Sequence, residues 1–211
     1  MKQITFALAV ISLAFITASC RKDAIENLEG NESIVYITEH DSTVNFSNFQ
    51  TFKVADSVSV IQDGQFQRRD YTAYDSSLIA AIRQVMIQRG FQLETNAAIP
   101  PDIGINVSRI TTAYTGVISY NDYYGYYDSY WDPFYWGYGG YEYYFPYTFG
   151  TYTFHEGALV TDMVDLKNPD TADNKLRTVW TGLARGTGIF NSANINEIVQ
   201  SLFNQSPYIL K

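Results

Sequence analysis

The chain has one cysteine in 211 residues, Cys20, and that scarcity excludes a good deal. A single thiol rules out an intramolecular disulfide, and its place at the end of an apolar N-terminal run argues against a catalytic or metal-binding role. Histidine is nearly as rare. His40 and His155 are the two imidazoles, and neither stands at a recognisable spacing from a nucleophile or a metal partner. Their acidic neighbours, in Glu39-His40-Asp41 and His155-Glu156, do not make a site, because adjacent residues on a strand point to opposite faces. Positive charge is missing from a long stretch: Ile110 to Leu166 holds no Lys or Arg, and the formal net charge is −8. Nucleic-acid binding needs a basic footprint to displace counterions, so that class is set aside. A long apolar run is absent as well, since Ile4 to Ile16 is too short to serve comfortably as a permanent membrane anchor. No catalytic residue, metal ligand or cofactor is assigned from the residues.

What the N-terminus does have is the layout of an export signal. Lys2 precedes the apolar run, and Thr17-Ala18-Ser19-Cys20 closes it with small residues and a thiol placed for thioether formation with a diacylglycerol. The tail resembles the bacterial lipoprotein lipobox, with Thr17 where an aliphatic residue is usual, a relaxed form similar to that of Bacteroidetes lipoproteins. The expectation is cleavage before Cys20, with residues 1–19 removed as a signal peptide. Lipid on Cys20 would then hold the protein to a membrane of the bacterial cell envelope, each buried methylene contributing about 0.8 kcal/mol. Removal of residues 1–19 takes away one charge, Lys2, and moves the balance from −8 to −9. The polar stretch 20–33 reads as a flexible tether and 34–211 as a single domain.

Within that domain, Ile34 to Ile37 and Phe52 to Val54 read as strands, the second entered through a turn at Asn45 to Asn48. A helix is expected from Ala73 to about Arg89, because Leu78, Ile79, Ile82, Val85 and Met86 share one face. Thr72 with Asp75 supplies an N-terminal capping pair and Gly90 a stop. After Pro100-Pro101, the residues Ile103, Ile105 and Val107 alternate with small or polar ones, the pattern of a strand with one covered face. Ala158 to Leu166 and Leu176 to Ala184 read as an antiparallel hairpin with a long polar loop around Asn168-Pro169-Asp170. A last helix, capped by Asn194 with Glu197, carries Ile195, Ile198, Val199, Leu202 and Phe203 and stops before Pro207. The fold class is therefore α+β: a mostly antiparallel sheet with two amphipathic helices packed on one face and a long Tyr/Trp-rich insert.

That insert, residues 120–154, holds thirteen of the 18 tyrosines and is broken by glycine and proline at seven positions, so it cannot be one helix or one simple strand. Its rings could stack on a neutral glycan or a peptide, rest in a membrane interface, or pair with another envelope protein. The plainest reading is a hydrophobic cover folded over the open sheet face with its hydroxyls turned to water. Asp162 and Asp165, three apart on one strand, should face opposite sides and make a poor glycosidase pair. Gly182, Gly186 and Gly188 lack the context of a phosphate loop and read as an exit from the sheet.

Taken in order, Phe46 to Phe52, Gln88-Arg89-Gly90-Phe91, Pro101 to Val107, the aromatic run, Gly157 to Asp165 and Val179-Trp180-Thr181-Gly182 resemble the domain-of-unknown-function family numbered 4136, found in bacterial envelope lipoproteins. The resemblance spans most of residues 34 to 208. It implies an α+β lipoprotein domain with no established catalytic residues. The functional expectation is a lipid-anchored, non-catalytic binding or scaffolding module of the envelope, with the outer membrane as its site and either face open. Its contacts are expected through Trp131, Phe134, Tyr135 and Trp136, and its partners are the membrane through Cys20 and a glycan or envelope protein. The alternative is a glycan-acting hydrolase using carboxylates among Asp128, Asp132, Glu142 and Glu156.

Overall fold

The computed structural model describes residues 34–111, 118–119, 124–147, 153–154 and 157–211. The signal peptide, Cys20 and the tether expected over 20–33 lie outside the described residues, as do His155 and Glu156.

The protein is a mixed α and β structure built on a large, mostly antiparallel sheet. Its central ladders join β1 (Val35–His40), β11 (Lys175–Arg185), β10 (Ala158–Asp170) and β6 (Ile103–Thr111), each pair antiparallel. On its far edge β6 pairs in parallel with β2 (Thr51–Val54) at one end and with β3 (Val58–Gln62) at the other. β2 and β3 thus act as one strand interrupted at Ala55–Ser57, and Ala55 N still donates to Ile105 O at 2.9 Å. β5 (Gln92–Leu93) extends the sheet beyond β2, and β4 (Gln65–Asp70) pairs antiparallel with β3. Two further short strands, β7 (Ile118–Ser119) and β9 (Thr153–Phe154), pair with each other.

Local chemistry accounts for the main helix. In α1 (Ala73–Gln88), Thr72 Oγ1 accepts from Asp75 N at 3.3 Å while Asp75 Oδ2 accepts from Thr72 N at 2.9 Å, so two otherwise orphaned amides are satisfied reciprocally. Gly90, at φ 92°, turns the chain out. Leu78, Ile79, Ile82, Val85 and Met86 are buried against the sheet beside the last helix, α3 (Ile195–Asn204). The start of α3 differs from expectation. Asn194 makes no side-chain cap because it already lies in a helical conformation, at the end of a 3-10 turn over Ser192–Asn194. Asn191 does the capping, accepting from Ala193 N, and the Asn194 amide donates to Gly188 O.

Three other corrections concern strands. The β10–β11 hairpin has no long polar loop: its strands continue to Asp170 and from Lys175, leaving a four-residue turn. Pro169 is tolerated because the register shifts between Asp165 and Asp170, where Asp165 Oδ1 accepts the amides of Lys167 and Asn168. The β3–β4 hairpin, with Asp63-Gly64 at its turn, is not among the expected elements. Both turn residues have positive φ, 51° and 76°, as a two-residue turn matched to the sheet twist requires. Gly182 does not lead the chain out of the sheet; it sits inside β11, where a Cβ would strike the Trp180 ring.

Candidate functional site

β6 shows how the second face of the sheet is used. Ile103, Ile105 and Val107 enter the core shared with α1 and α3, but the intervening Gly104, Asn106 and Ser108 are buried as well. The strand therefore has two covered faces, and the cover on the second is the aromatic segment. It contains α2 (Tyr127–Tyr130), a 3-10 turn at Pro133–Trp136 and β8 (Glu142–Tyr144), which pairs parallel with β11.

The two buried polar side chains on this face of β6, Asn106 and Ser108, meet the polar ends of rings. Trp131 Nε1 donates to Ser108 Oγ at 3.0 Å, Trp136 Nε1 donates to Asn106 Oδ1 at 2.9 Å, and Asn106 Nδ2 donates to Tyr127 OH at 2.9 Å. Tyr130 OH donates to Gly64 O and Tyr138 OH to Leu166 O. Asp56 holds Tyr135 twice: its amide donates to Tyr135 OH, and that hydroxyl donates to Asp56 Oδ1, both at 2.9 Å. These four hydroxyls, of Tyr127, Tyr130, Tyr135 and Tyr138, are turned to the sheet and its loops rather than to water, whereas Tyr126 and Tyr144 are exposed; a buried Asn or Ser without a partner costs about 1–3 kcal/mol. Gly104 makes the close approach feasible, since a Cβ there would lie 2.8 Å from Leu166 Cδ1 and 2.9 Å from the Trp136 ring. Arg69 closes the layer, its guanidinium carbon 4.3 Å from the centroid of Trp131 and 4.8 Å from that of Tyr135.

Burial dominates the electrostatics of the layer. It pushes the Tyr135 hydroxyl up to about 12, and it raises Tyr138 and Tyr143 above the ordinary phenol range. Burial also raises the Asp128 carboxyl, against the lowering effect of a hydrogen bond from Tyr143 N at 3.1 Å.

The four residues singled out for contact fall in different places. Trp131 is 0% exposed and belongs to the core, whereas Phe134 is 74% exposed. Tyr135 and Trp136 are half-buried, with their polar ends directed inward. The four acids of the hydrolase alternative are also dispersed in role. Asp128 holds Tyr143 N, Asp132 caps the 3-10 turn through Phe134 N, Glu142 is an exposed strand residue, and Glu156 lies outside the described residues. Asp162 is buried against Thr181 Oγ1 at 2.5 Å and Tyr124 OH at 3.3 Å, while Asp165 serves the hairpin bulge. His40 stacks on Tyr208 with ring centroids 3.9 Å apart. Among the described residues there is no group of three or more His, Cys, Asp or Glu able to hold a metal, and no helix is long and apolar enough to cross a membrane.

Beside Phe134 the layer borders a groove of about 380 Å³. One wall is the loop Ala97–Pro101, with Ile99 49% exposed; the other is Phe134–Gly137, and Lys53 of β2 completes the lining. Phe134 is among the expected contact residues; Lys53 and the loop, far from it along the chain, are not. The groove can hold an apolar group beside an ammonium. Its lining residues include neither a carboxylate nor an imidazole.

A large, mostly antiparallel sheet covered by helices and an aromatic layer defines the class as a mixed α and β domain. The profile of the Domain of unknown function (DUF4136) matches residues 37–208, and the chain belongs to that family. A DUF4136 family protein from Bacteroides thetaiotaomicron, known from its crystal structure, is 31% identical, with 84% of this chain and 98% of that chain aligned and a TM-score of 0.70. Two PelC dodecamer structures from Paraburkholderia phytofirmans are more distant. One, of a PelC variant, is 7% identical over 84% of this chain and 98% of that chain, with a TM-score of 0.39. The other is 10% identical over 85% and 98%, with a TM-score of 0.36. No curated protein matches.

Proposed function

We propose that this protein is a lipid-anchored, non-catalytic binding module of the bacterial cell envelope, tethered through Cys20 and making its contacts at the groove beside Phe134. The observation that carries the contact reading is the exposure of Phe134, at 74%, between Trp131 and Trp136, whose indole nitrogens are both bonded down onto β6. A phenylalanine held out on a rigid platform loses little conformational freedom when a partner covers it, and apolar residues beside pockets are common anchors. The anchoring reading is supported by the export signal ending in Cys20 and by the resemblance to envelope lipoproteins. The hydrolase alternative has less in its favour, because Asp128 and Asp132 are already committed to backbone amides of their own segment.

A photoreactive residue at Phe134 is expected to crosslink a discrete envelope component in living cells, and the same residue at exposed Leu210 is not. Identical labelling from both positions would remove the contact reading. For the anchor, the intact mass of material purified from membranes should show loss of residues 1–19 and acyl chains on Cys20; a retained Met1 or a free thiol would refute it.

A further inference from the structure

We propose that the groove takes an apolar side chain adjacent to a carboxylate, on an extended acidic peptide. This rests on the reading that the groove beside Phe134 is the contact site, and it names what the contact recognises. Lys53 supplies the charge. It is half-buried on β2, paired in register with Gly104, the residue against which Trp136 packs. Among the described residues no carboxylate lies within ion-pairing distance of its ammonium. The acids of neighbouring segments are occupied elsewhere. Asp102 accepts from Gln50 N and Lys167 Nζ, Glu94 from Asn96 N, and Asp132 from Phe134 N. An ammonium with no carboxylate beside it is free to pair with an incoming one, and such a charge-assisted bond is stronger than a neutral one.

The other side chains of the lining make an apolar wall. Pro100 and Pro101 have no amide hydrogen to offer, and Ala97, Ala98, Ile99 and Phe134 bring no side-chain donor or acceptor. Tyr135 OH is used on Asp56 and Trp136 Nε1 on Asn106, so the aromatic wall turns ring carbon, not polar ends, toward the groove. An anionic membrane is disfavoured by the net charge of −8. That same charge opposes an acidic peptide at long range, but screening at physiological salt confines it to about 8 Å and leaves the local ammonium to decide.

The test is fluorescence anisotropy of the folded domain with a labelled peptide Gly-Phe-Glu-Phe-Glu-Gly and its counterpart carrying Gln for each Glu. The acidic peptide should bind about fivefold more tightly than the Gln peptide, the scale of one partly exposed ion pair. Lys53→Gln should abolish that preference and Lys53→Arg preserve it. Phe134→Ala should weaken both peptides about tenfold or more. If Phe134→Ala weakens binding while the two peptides bind equally, the contact site stands and the carboxylate preference is overturned. If neither peptide binds but cellohexaose or anionic phospholipid vesicles do, and Phe134→Ala abolishes that binding, the peptide is overturned as occupant and the contact site kept. If nothing responds to Phe134→Ala, both fall.

Discussion

The two faces of this sheet are buried by opposite means. On one, α1 and α3 lay aliphatic side chains against Ile103, Ile105 and Val107, and position follows from helical periodicity. On the other, a segment with little regular structure lays rings over Gly104, Asn106 and Ser108, and position follows from individual hydrogen bonds to those rings. An aliphatic cover is non-directional and tolerates small changes; an aromatic cover is directional, and each lost bond strands a buried polar atom. The difference explains how a polar strand face can be fully enclosed.

The comparison can be broken most severely at Trp131. Trp131→Ala should cost about 3–5 kcal/mol in chemical denaturation, since it removes a fully buried ring and the hydrogen bond from Trp131 Nε1 to Ser108 Oγ. A loss below about 1 kcal/mol would mean that the aromatic layer is not a second core. Asn106→Leu comes next, at about 2–4 kcal/mol, because it removes the acceptor of Trp136 Nε1 and the donor to Tyr127 OH. Its counterpart on the helix face, Ile105→Val, should cost about 0.5–1.5 kcal/mol. Equal losses would erase the distinction between the faces.

Alkali provides a smaller effect. The Tyr135 hydroxyl is raised, chiefly by burial, from 10 to about 12. The unfolded chain therefore releases this proton first: the contribution is complete below pH 10 and is lost as pH rises through 12. Tyr135→Phe should flatten the fall in denaturation midpoint across that interval, and an unchanged slope would show that the phenol is not the group responsible. Smallest of all is Phe134→Ala, expected within about 0.5 kcal/mol of the parent by thermal melting because the ring is exposed. A large loss there would place Phe134 in the fold rather than at a contact.

Much of the helix face was legible in the amino-acid order. The α1 span and its Thr72–Asp75 box rest on local spacing, and the sheet partners Ile103, Ile105 and Val107 announce themselves by alternation. The Asp63-Gly64 turn carried an equally local signal and could have been found. The aromatic face was harder. Gly104, Asn106 and Ser108 have the composition of a solvent-facing edge, and nothing nearby in the chain says that Trp131, Trp136 and Tyr127 will satisfy them. For the same reason Trp131 and Phe134, three residues apart and similar in character, could not be assigned to core and surface.

Sequence by itself determined the family, the mixed α and β class and the helix-forming segments, because periodicity, caps and turn residues act over a few neighbours. Only the tertiary structure decided which rings lie inside and that Lys53 meets the Ala97–Pro101 loop and Phe134 in one groove. Those outcomes depend on long-range pairing of polar atoms between strands and a segment without a period, and no local pattern encodes such pairing.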